Sequence, residues 1–222
     1  MKEKYSEAGR NPYDSLRPMS ALTHGIGILF ALLALGVLQQ MTRNTPNITP
    51  VTVYALSMLC LYTASTVYHS LNTGIKGRMF LRKLDHVMIY FLIAGTYTPV
   101  CMISLDGTIS GRIMLLIIWS MAILGSGFTL FWINMPRFLT AIIYLVMGWT
   151  AIFAIYPIHQ ALSGECFFLL LLGGILYSLG GILYALKWPG RNNRYFGCHE
   201  IFHVFIVLGS ISHFLMIYQL VK

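Results

Sequence analysis

The chain has 222 residues, of which 57% are hydrophobic and only 10% are charged, and its formal net charge is +8. A soluble domain of this size carries about 25% charged residues, so this composition excludes a water-soluble globular domain and makes lipid the expected solvent for most of the chain. The positive charge does not indicate a nucleic-acid partner, because the basic residues lie in short loops between apolar runs.

Seven apolar runs follow a polar N-terminal stretch. Each is long enough for one membrane-spanning helix, since a bilayer core about 30 Å thick needs about 20 helical residues. In chain order, the predicted helices cover residues 19–41, 49–71, 84–104, 112–132, 138–157, 165–186 and 199–221. The sequence therefore predicts an all-α polytopic membrane protein, with a cytoplasmic polar tail at 1–18 and a single seven-helix transmembrane domain at 19–222.

Lys and Arg residues are unevenly divided between the two sides of this predicted bundle. All of them except Arg43, Arg112 and Lys222 lie in the N-terminal tail or in the loops after the second, fourth and sixth runs. Because short basic loops stay on the cytoplasmic side, we expect a cytoplasmic N-terminus. An odd number of spans then places the C-terminus outside.

Polar and titratable side chains occur where the second run ends and the third begins. Ser65 and His69 are four residues apart and therefore share one helix face, and Asp85 lies at the start of the third run. Taken singly, each has a plain structural explanation. Ser65 can bond a carbonyl group of its own helix. Asp85 can be stabilised by the helix dipole or paired with Arg82 or Lys83 just before it.

The sixth run contains the segment GGILY twice, at 173–177 and 180–184. The seven-residue repeat aligns four glycines along one stripe of the helix, namely Gly173, Gly174, Gly180 and Gly181. Small residues let helix backbones approach closely in lipid, so we expect this stripe to pack against a neighbouring helix. A conduction path along the glycines is the alternative.

The seventh run begins with HEIFH, in which His199 and His203 are four residues apart. The two rings are about one helical turn, 5.4 Å, apart along the axis and can bind one ion together. The segment also matches the HExxH pattern of zinc proteases, and an intramembrane protease stays an alternative. A peptidase needs a cleft for an extended peptide, however, and no soluble segment here could build one. Glu200 is better explained as an acidic residue in the first helical turn, stabilised by the helix dipole.

The end of the second run and the starts of the third and seventh runs all lie on the cytoplasmic side of the predicted bundle. Their polar groups therefore share one membrane depth. Titratable groups inside a membrane are costly and need a reason. Three imidazoles, from His69, His199 and His203, suit zinc and leave a fourth position for water, as catalytic zinc requires. We therefore predict a zinc site, with Asp85 holding or deprotonating the water and Ser65 bonding the water or a substrate oxygen. Imidazole also suits other metals.

The four remaining histidines give weaker signals. His24 and His86 are predicted to lie at the membrane interface, with a role in supporting the metal ligands as the alternative. His213 shares the helix face of His203 but lies about 15 Å deeper, which is too far for a common ion. We expect His213 to bond across helices or to line a cavity, and His159 to lie in an outer loop.

Taken together, these segments resemble a known family. STVYH at 65–69, LDH around Asp85 and the HEIFH segment resemble the S-x3-H, D and H-x3-H motifs of the hemolysin III and progestin/adipoQ receptor (PAQR) family. AGTYTP at 94–99 and SHFLMIY at 212–218 are similar to bacterial hemolysin III members. The resemblance covers nearly the whole chain from THGIG at 23–27 onward. Glu200 is not part of the family pattern, which favours an incidental HExxH.

The resemblance implies a seven-helix protein of the bacterial inner (plasma) membrane. It implies zinc on His69, His199 and His203, with Asp85 and Ser65 beside the metal water. The wider superfamily includes alkaline ceramidases, so the first functional hypothesis is zinc-dependent hydrolysis of a ceramide-like lipid amide.

The alternative hypothesis is a non-enzymatic protein with structural zinc, which senses lipids, serves membrane homeostasis or forms a cytolytic pore. Membrane lipids are the expected partners in either case. Which lipid is bound and how many copies assemble are left open by the residues.

Overall fold

The computed structural model describes residues 16–190, 193 and 196–222, apart from the side chain of Arg137. The described residues form helices and connecting turns, with no strand among them. The helices are α1 (Pro18–Thr42), α2 (Ile48–Ser70), α3 (Ile75–Pro99), α4 (Ile109–Phe131), α5 (Arg137–Gly148), α6 (Ile155–Ala161), α7 (Gly164–Leu186) and α8 (Cys198–Val221). A π-helical turn, Val100–Ser104, follows α3, and a 3-10 segment, Trp149–Ala154, joins α5 to α6.

Seven helical segments in this part of the chain are long and apolar enough to cross a membrane, and the fifth consists of α5 from Phe138 onward, the 3-10 segment and α6. The predicted all-α seven-span bundle is therefore confirmed. Its orientation and the division into tail and transmembrane domain stay predictions. Residues 1–15 of the predicted tail lie outside the described residues, as do Arg191 and Arg194, which also entered the orientation argument.

The spans close into a ring in which consecutive helices pack together and α8 returns to lie between α1 and α7. The most enclosed side chains come from the facing surfaces of α1, α2 and α8, and include Leu38, Tyr54, Met58 and Met216, all without solvent exposure. Large apolar side chains such as Leu29, Leu124 and Phe131 are instead exposed on the outer surface. An apolar exterior over a packed interior is what a lipid environment favours.

The start of the third span differs most from the prediction. Helix α3 begins at Ile75 rather than at residue 84, because hydropathy marks where a helix enters the membrane and not where it starts to coil. Buried Arg78 in its first turn donates to the Leu71 carbonyl and to Asn72 Oδ1, which ties the helix start to the preceding loop. Asp85 is consequently well inside α3 and not at its N-terminus, so the explanation of Asp85 by the helix dipole is wrong.

The fifth span was predicted as one continuous helix and is broken in its middle. The hydroxyl of Tyr97 on α3 donates to the Gly148 carbonyl at 2.5 Å and accepts from the main-chain N–H of Ala151 at 2.8 Å. One side chain thus satisfies two backbone groups at the change from α5 to the 3-10 segment, where the regular helical pairing is interrupted. Short 3-10 stretches inside a helix often mark functional positions, and this one borders the cavity described below.

Glycines of the α7 stripe face two neighbouring helices, α8 and α5. A Cβ atom added at Gly180 would lie 2.7 Å from Cβ of Phe205, and one at Gly173 would overlap the ring of His213, both on α8. The expected packing role is therefore confirmed for these two glycines. Gly181 instead faces Leu145 of α5 at an ordinary distance, and a Cβ at Gly174 would meet nothing within 4 Å.

We expect Gly180→Ala to lower the free energy of unfolding by about 1–2 kcal/mol, because the Cβ atom of Phe205 cannot swing aside. Gly174→Ala is the matched control on the same helix, and its stability should stay equal or rise by up to about 1 kcal/mol, since alanine favours helix. Thermal unfolding of the purified variants in detergent measures both. Equal loss in the two variants would contradict close α7–α8 contact at Gly180.

Candidate metal centre

Three histidine rings from two helices meet at one end of the bundle. His69 lies in the last turn of α2, and His199 and His203 lie in the first two turns of α8. The Nε2 atom of His199 is 3.2 Å from Nε2 of His69 and 3.1 Å from Nε2 of His203. His69 and His203 are buried, and His199 is partly buried. The structure thus brings together all three predicted ligands, although 130 residues separate the first from the second.

The spacing of these nitrogens fits a shared cation. Ligand nitrogens about 2.0–2.1 Å from a tetrahedral zinc lie roughly 3.3–3.4 Å apart, close to the two short distances, and all three atoms lie within 4.8 Å of one another. A neutral imidazole nitrogen carries either one proton or one lone pair. Nε2 of His199 therefore cannot form two linear hydrogen bonds to its two neighbours, whereas a cation between the rings accounts for both approaches.

Among the described residues, these three histidines are the one group of His, Cys, Asp or Glu side chains able to hold an ion in this way. The donor set is three imidazole nitrogens, which suits zinc and leaves a coordination position open. It also suits other late first-row metals, so the group could bind a metal ion but does not specify which metal.

His24 of α1 lies directly against this group. Its ring stacks on that of His203, with centroids 3.8 Å apart and planes at 21°. The side chain is buried against the group, which favours the alternative expectation that His24 supports the proposed metal ligands. Neither ring nitrogen of His24 has a hydrogen-bond partner among the described residues. Two orphaned polar atoms beside three converging imidazoles indicate that this region is built to receive a polar group or ion.

Ser65 and Asp85 lie on adjacent helices and border one cavity. Ser65 is one turn before His69 on α2 and is almost fully buried, as is Asp85 on α3. The Ser65 hydroxyl interacts with the Asp85 carboxylate, but no hydrogen bond of good geometry satisfies it within the described structure. Both side chains line the cavity together with His199 and His203. A carboxylate and a hydroxyl thus face the same space as two of the imidazoles.

Glu200 has a larger structural role than the sequence indicated. Its Oε1 accepts from the Arg17 guanidinium and from the Ser20 hydroxyl, both at 3.0 Å, and its Oε2 accepts from the main-chain N–H of Gly197. The last contact supports the expected role at the helix start. The first two attach α1 and the residue before it to α8. Glu200 does not line the cavity, so the structure gives no support to a protease in which Glu200 is the general base.

Arg17 also contacts His69, the third histidine of the group, which lies on α2. The main-chain N–H of Arg17 donates to the carbonyl of His69 at 3.1 Å, while the Arg17 side chain binds Glu200, between the two ligands on α8. The segment that enters α1 therefore bridges both helices that carry the imidazoles. We infer that this bridge fixes the separation of α2 and α8 at the metal centre.

We expect Glu200→Ala to lower the free energy of unfolding by about 2 kcal/mol, because a buried carboxylate with three hydrogen bonds is lost and its donors are left behind. Glu165→Ala is the control, since Glu165 is exposed and accepts one bond from Gln219; a change within about 0.5 kcal/mol is expected there. Thermal unfolding compares the two. Similar stability of both variants would show that the bridge to α1 contributes little.

The cavity extends from the metal centre into the bundle and has a volume of about 1170 Å³, its open mouth included. Side chains of α2, α3, α5, α7 and α8 line it, and most of them are apolar. Its far parts reach Tyr177 and His213, and on one side it borders Trp149 and Ser178. Its polar lining side chains Ser65, Asp85, His199 and His203 lie at one end, and His213 lies about 15 Å further along α8 than His203.

The other predicted histidine positions have mixed outcomes. His213 bonds the Leu170 carbonyl on α7 and lines the cavity, so both expectations for it are confirmed. His86 is partly buried, with Nδ1 at 2.9 Å from the Arg82 carbonyl, and it also lines the cavity. His159 is exposed but lies in α6 and not in a loop, because the fifth helical span runs four residues further than predicted.

Comparisons with known proteins agree with this architecture. A family model described as "Haemolysin-III related" matches residues 17–214. A Bacillus subtilis (strain 168) protein named "Hemolysin-3 homolog" is 41% identical over 198 residues, which cover 88% of this chain and 89% of that protein. A Bacillus cereus protein named "Hemolysin-3" is 40% identical over 200 residues, which cover 88% and 87% of the two chains. The match covers α1 to α7 and α8 up to residue 214, and it includes Ser65, His69, Asp85, His199 and His203.

Proposed function

This chain belongs to the haemolysin-III related family of integral membrane proteins, and we propose that it is a zinc-dependent hydrolase of a lipid amide bond. The observation that carries the proposal is the convergence of three imidazole nitrogens, two of them from side chains that line a mostly apolar cavity. The assignment to this family and the membrane fold hold whether or not the protein has this activity. With relatives in Bacillus, the proposed location is the bacterial plasma membrane.

In this proposal His69, His199 and His203 hold the metal. Zinc bound there would supply a Lewis acid that polarises a carbonyl group and makes a water molecule more acidic. Asp85 would accept the proton of the attacking water and later pass it to the leaving nitrogen. Ser65, whose hydroxyl lacks a well-formed hydrogen bond, would orient the substrate oxygen. The stacked His24 would restrict the ring of His203 to one orientation.

The walls of the cavity support a lipid substrate. They carry mostly apolar side chains, and the lining includes Trp149 of the 3-10 segment and Ser178 of α7. There the indole N–H of Trp149 donates to Ser178 Oγ at 2.9 Å, and Trp149 is 40% exposed. A single surface hydrogen bond is weak enough to open and close. We propose that the acyl chain enters from the bilayer at this position, while the amide group reaches the histidines.

The experiment that tests this activity uses zinc-loaded protein in lipid nanodiscs. N-palmitoyl sphingosine and N-palmitoyl ethanolamine serve as substrates, and released palmitate is measured by mass spectrometry. We expect release by the wild-type protein, its loss after chelation and its return with zinc. The control carries Ala at His69, His199 and His203. Zinc-loaded protein that cleaves neither amide, or a control that cleaves as well as wild type, would exclude the hydrolase.

A second candidate rests on the names of the relatives, both printed as hemolysins. In this case the protein would permeabilise membranes and the metal would be structural. Dye release from liposomes separates the two functions. Leakage that persists without the three ligands favours the lytic protein, whereas leakage that requires them and follows lipid release favours hydrolysis.

A further inference from the structure

The deep end of the cavity has a polar group that the proposed hydrolysis does not use. His213 lies on α8 ten residues after His203, so it is about 15 Å further along the helix axis. The same cavity is lined by both side chains. A molecule that fills it from one end to the other would therefore meet two histidines that are separated by a long apolar stretch.

The hydrogen bonding of His213 fixes its chemical form. Its Nε2 lies 3.1 Å from the carbonyl oxygen of Leu170 on α7. A carbonyl oxygen only accepts hydrogen bonds, so Nε2 must carry the proton. In the neutral ring Nδ1 then has a lone pair and acts as an acceptor.

This acceptor is buried and unpaired within the part of the chain that the structure describes. His213 is 5% exposed, and its Nδ1 has no hydrogen-bond donor among the described residues. Buried polar atoms are nearly always satisfied, because an atom left unpaired has lost its hydrogen bonds to water without replacement. Because the His213 ring lines the cavity, the donor for this unpaired acceptor can come from the occupant of the cavity.

The ring is also held in place. Gly173 lies directly beneath it, where any side chain would overlap the imidazole. The ring of Tyr177 packs edge-on with its centroid 5.3 Å away, and the Tyr177 hydroxyl is bonded to Ser210 Oγ at 2.9 Å. Because Nε2 is also hydrogen-bonded to α7, the ring cannot rotate freely, and the lone pair of Nδ1 keeps a fixed direction. A preorganised acceptor of this kind discriminates between ligands with and without a matching donor.

We propose that the His213 end of the cavity is a binding subsite for a hydroxyl group carried far along the chain of a long-chain lipid. The ligand class is thus a hydroxylated acyl lipid, with its hydroxyl hydrogen donated to Nδ1 of His213. The position of the hydroxyl along the acyl chain is derived from the proposed metal site and therefore rests on the proposed function. If the carboxamide lies at the three imidazoles, eleven carbon–carbon bonds of about 1.52 Å, in zigzag, span roughly 14 Å and place the hydroxyl near carbon 12.

The subsite is tested by binding alone, without turnover. Stearamide, 2-hydroxystearamide and 12-hydroxystearamide are titrated into purified protein in detergent, and the shift of the unfolding temperature gives each affinity. We expect the wild-type protein to bind 12-hydroxystearamide about five- to tenfold more tightly than the other two, as one additional buried hydrogen bond gives.

Two variants identify the acceptor. His213→Gln keeps an N–H for Leu170 but has no acceptor at the position of Nδ1, and His213→Phe keeps a ring without nitrogen; both should bind the three amides equally. His159→Gln, at an exposed position, should keep the preference. Equal binding of the amides to wild-type protein, or no binding of any, overturns the subsite, as does a preference that survives in both His213 variants.

The zinc content of the same samples separates this result from the proposed function. Zinc-containing protein that shows no preference for the hydroxylated chain refutes the subsite alone. A preference that depends on His213 in protein that cannot take up zinc supports the subsite and refutes the metal centre.

Discussion

A His203→Ala variant should lose its bound metal and its amide hydrolysis while it keeps the seven-helix fold. In the proposed site His203 provides one of three ligand nitrogens, and its Nε2 is 3.1 Å from that of His199. Loss of residues that merely support a ligand weakens metal binding 10- to 100-fold, so loss of a ligand should cost at least roughly 100-fold. Zinc content by mass spectrometry and palmitate release on one sample measure both effects.

The matched control for this prediction is His159→Ala. His159 is an exposed histidine on α6 that contacts Phe167 and lies outside the cavity. It should keep wild-type zinc content and turnover. If His203→Ala retains one zinc per chain after dialysis, the assignment of His203 as a ligand is wrong, whatever happens to activity.

An Asp85→Asn variant should keep its zinc and lose hydrolysis by a factor of about 10² to 10⁴, the usual contribution of a general base. The amide has the same size as the carboxylate but cannot accept the proton of water. Asp85 is almost fully buried beside the cavity and is separate from the three imidazoles that form the ion-binding group. Turnover and zinc content should therefore respond independently to this substitution.

Asp106→Asn is the control, because Asp106 lies in an exposed turn where it accepts from the N–H of Gly107. Ser65→Ala should have a smaller effect than Asp85→Asn, since a hydroxyl that orients an oxygen moves no proton. An Asp85→Asn protein with wild-type turnover would exclude Asp85 as the base, and loss of zinc in that variant would give Asp85 a role in holding the metal.

Much of the fold could be predicted because lipid imposes a simple rule on sequence. Every span needs about 20 apolar residues with internally paired backbone groups, so hydropathy finds them. The start of α3 at Ile75 could not be found in this way, because residues 75–83 form helix without being apolar enough for the membrane core. The break after α5 depends on the hydroxyl of Tyr97, which is 50 residues away in sequence, and no local pattern encodes it.

The grouping of the three histidines could be predicted because two signals coincide. His199 and His203 are spaced by one helical turn, and His69 lies at the end of another span that the basic loops place on the same side. The contact between Glu200 and Arg17 could not be predicted from the sequence, since it is set by how α1 packs between α2 and α8. His24 gave a usable signal, because a titratable ring inside an apolar run needs a partner. Its contact with His203 still required the tertiary structure.

The central claim is that one metal ion lies between His69, His199 and His203. Zinc-edge X-ray absorption on purified, zinc-loaded protein tests it most directly. The account predicts about one zinc per chain, with three imidazole nitrogens and one further light atom at about 2.0–2.1 Å. A spectrum with sulfur at about 2.3 Å, which the four cysteines of the chain could supply, or protein that binds no zinc at all, would contradict it.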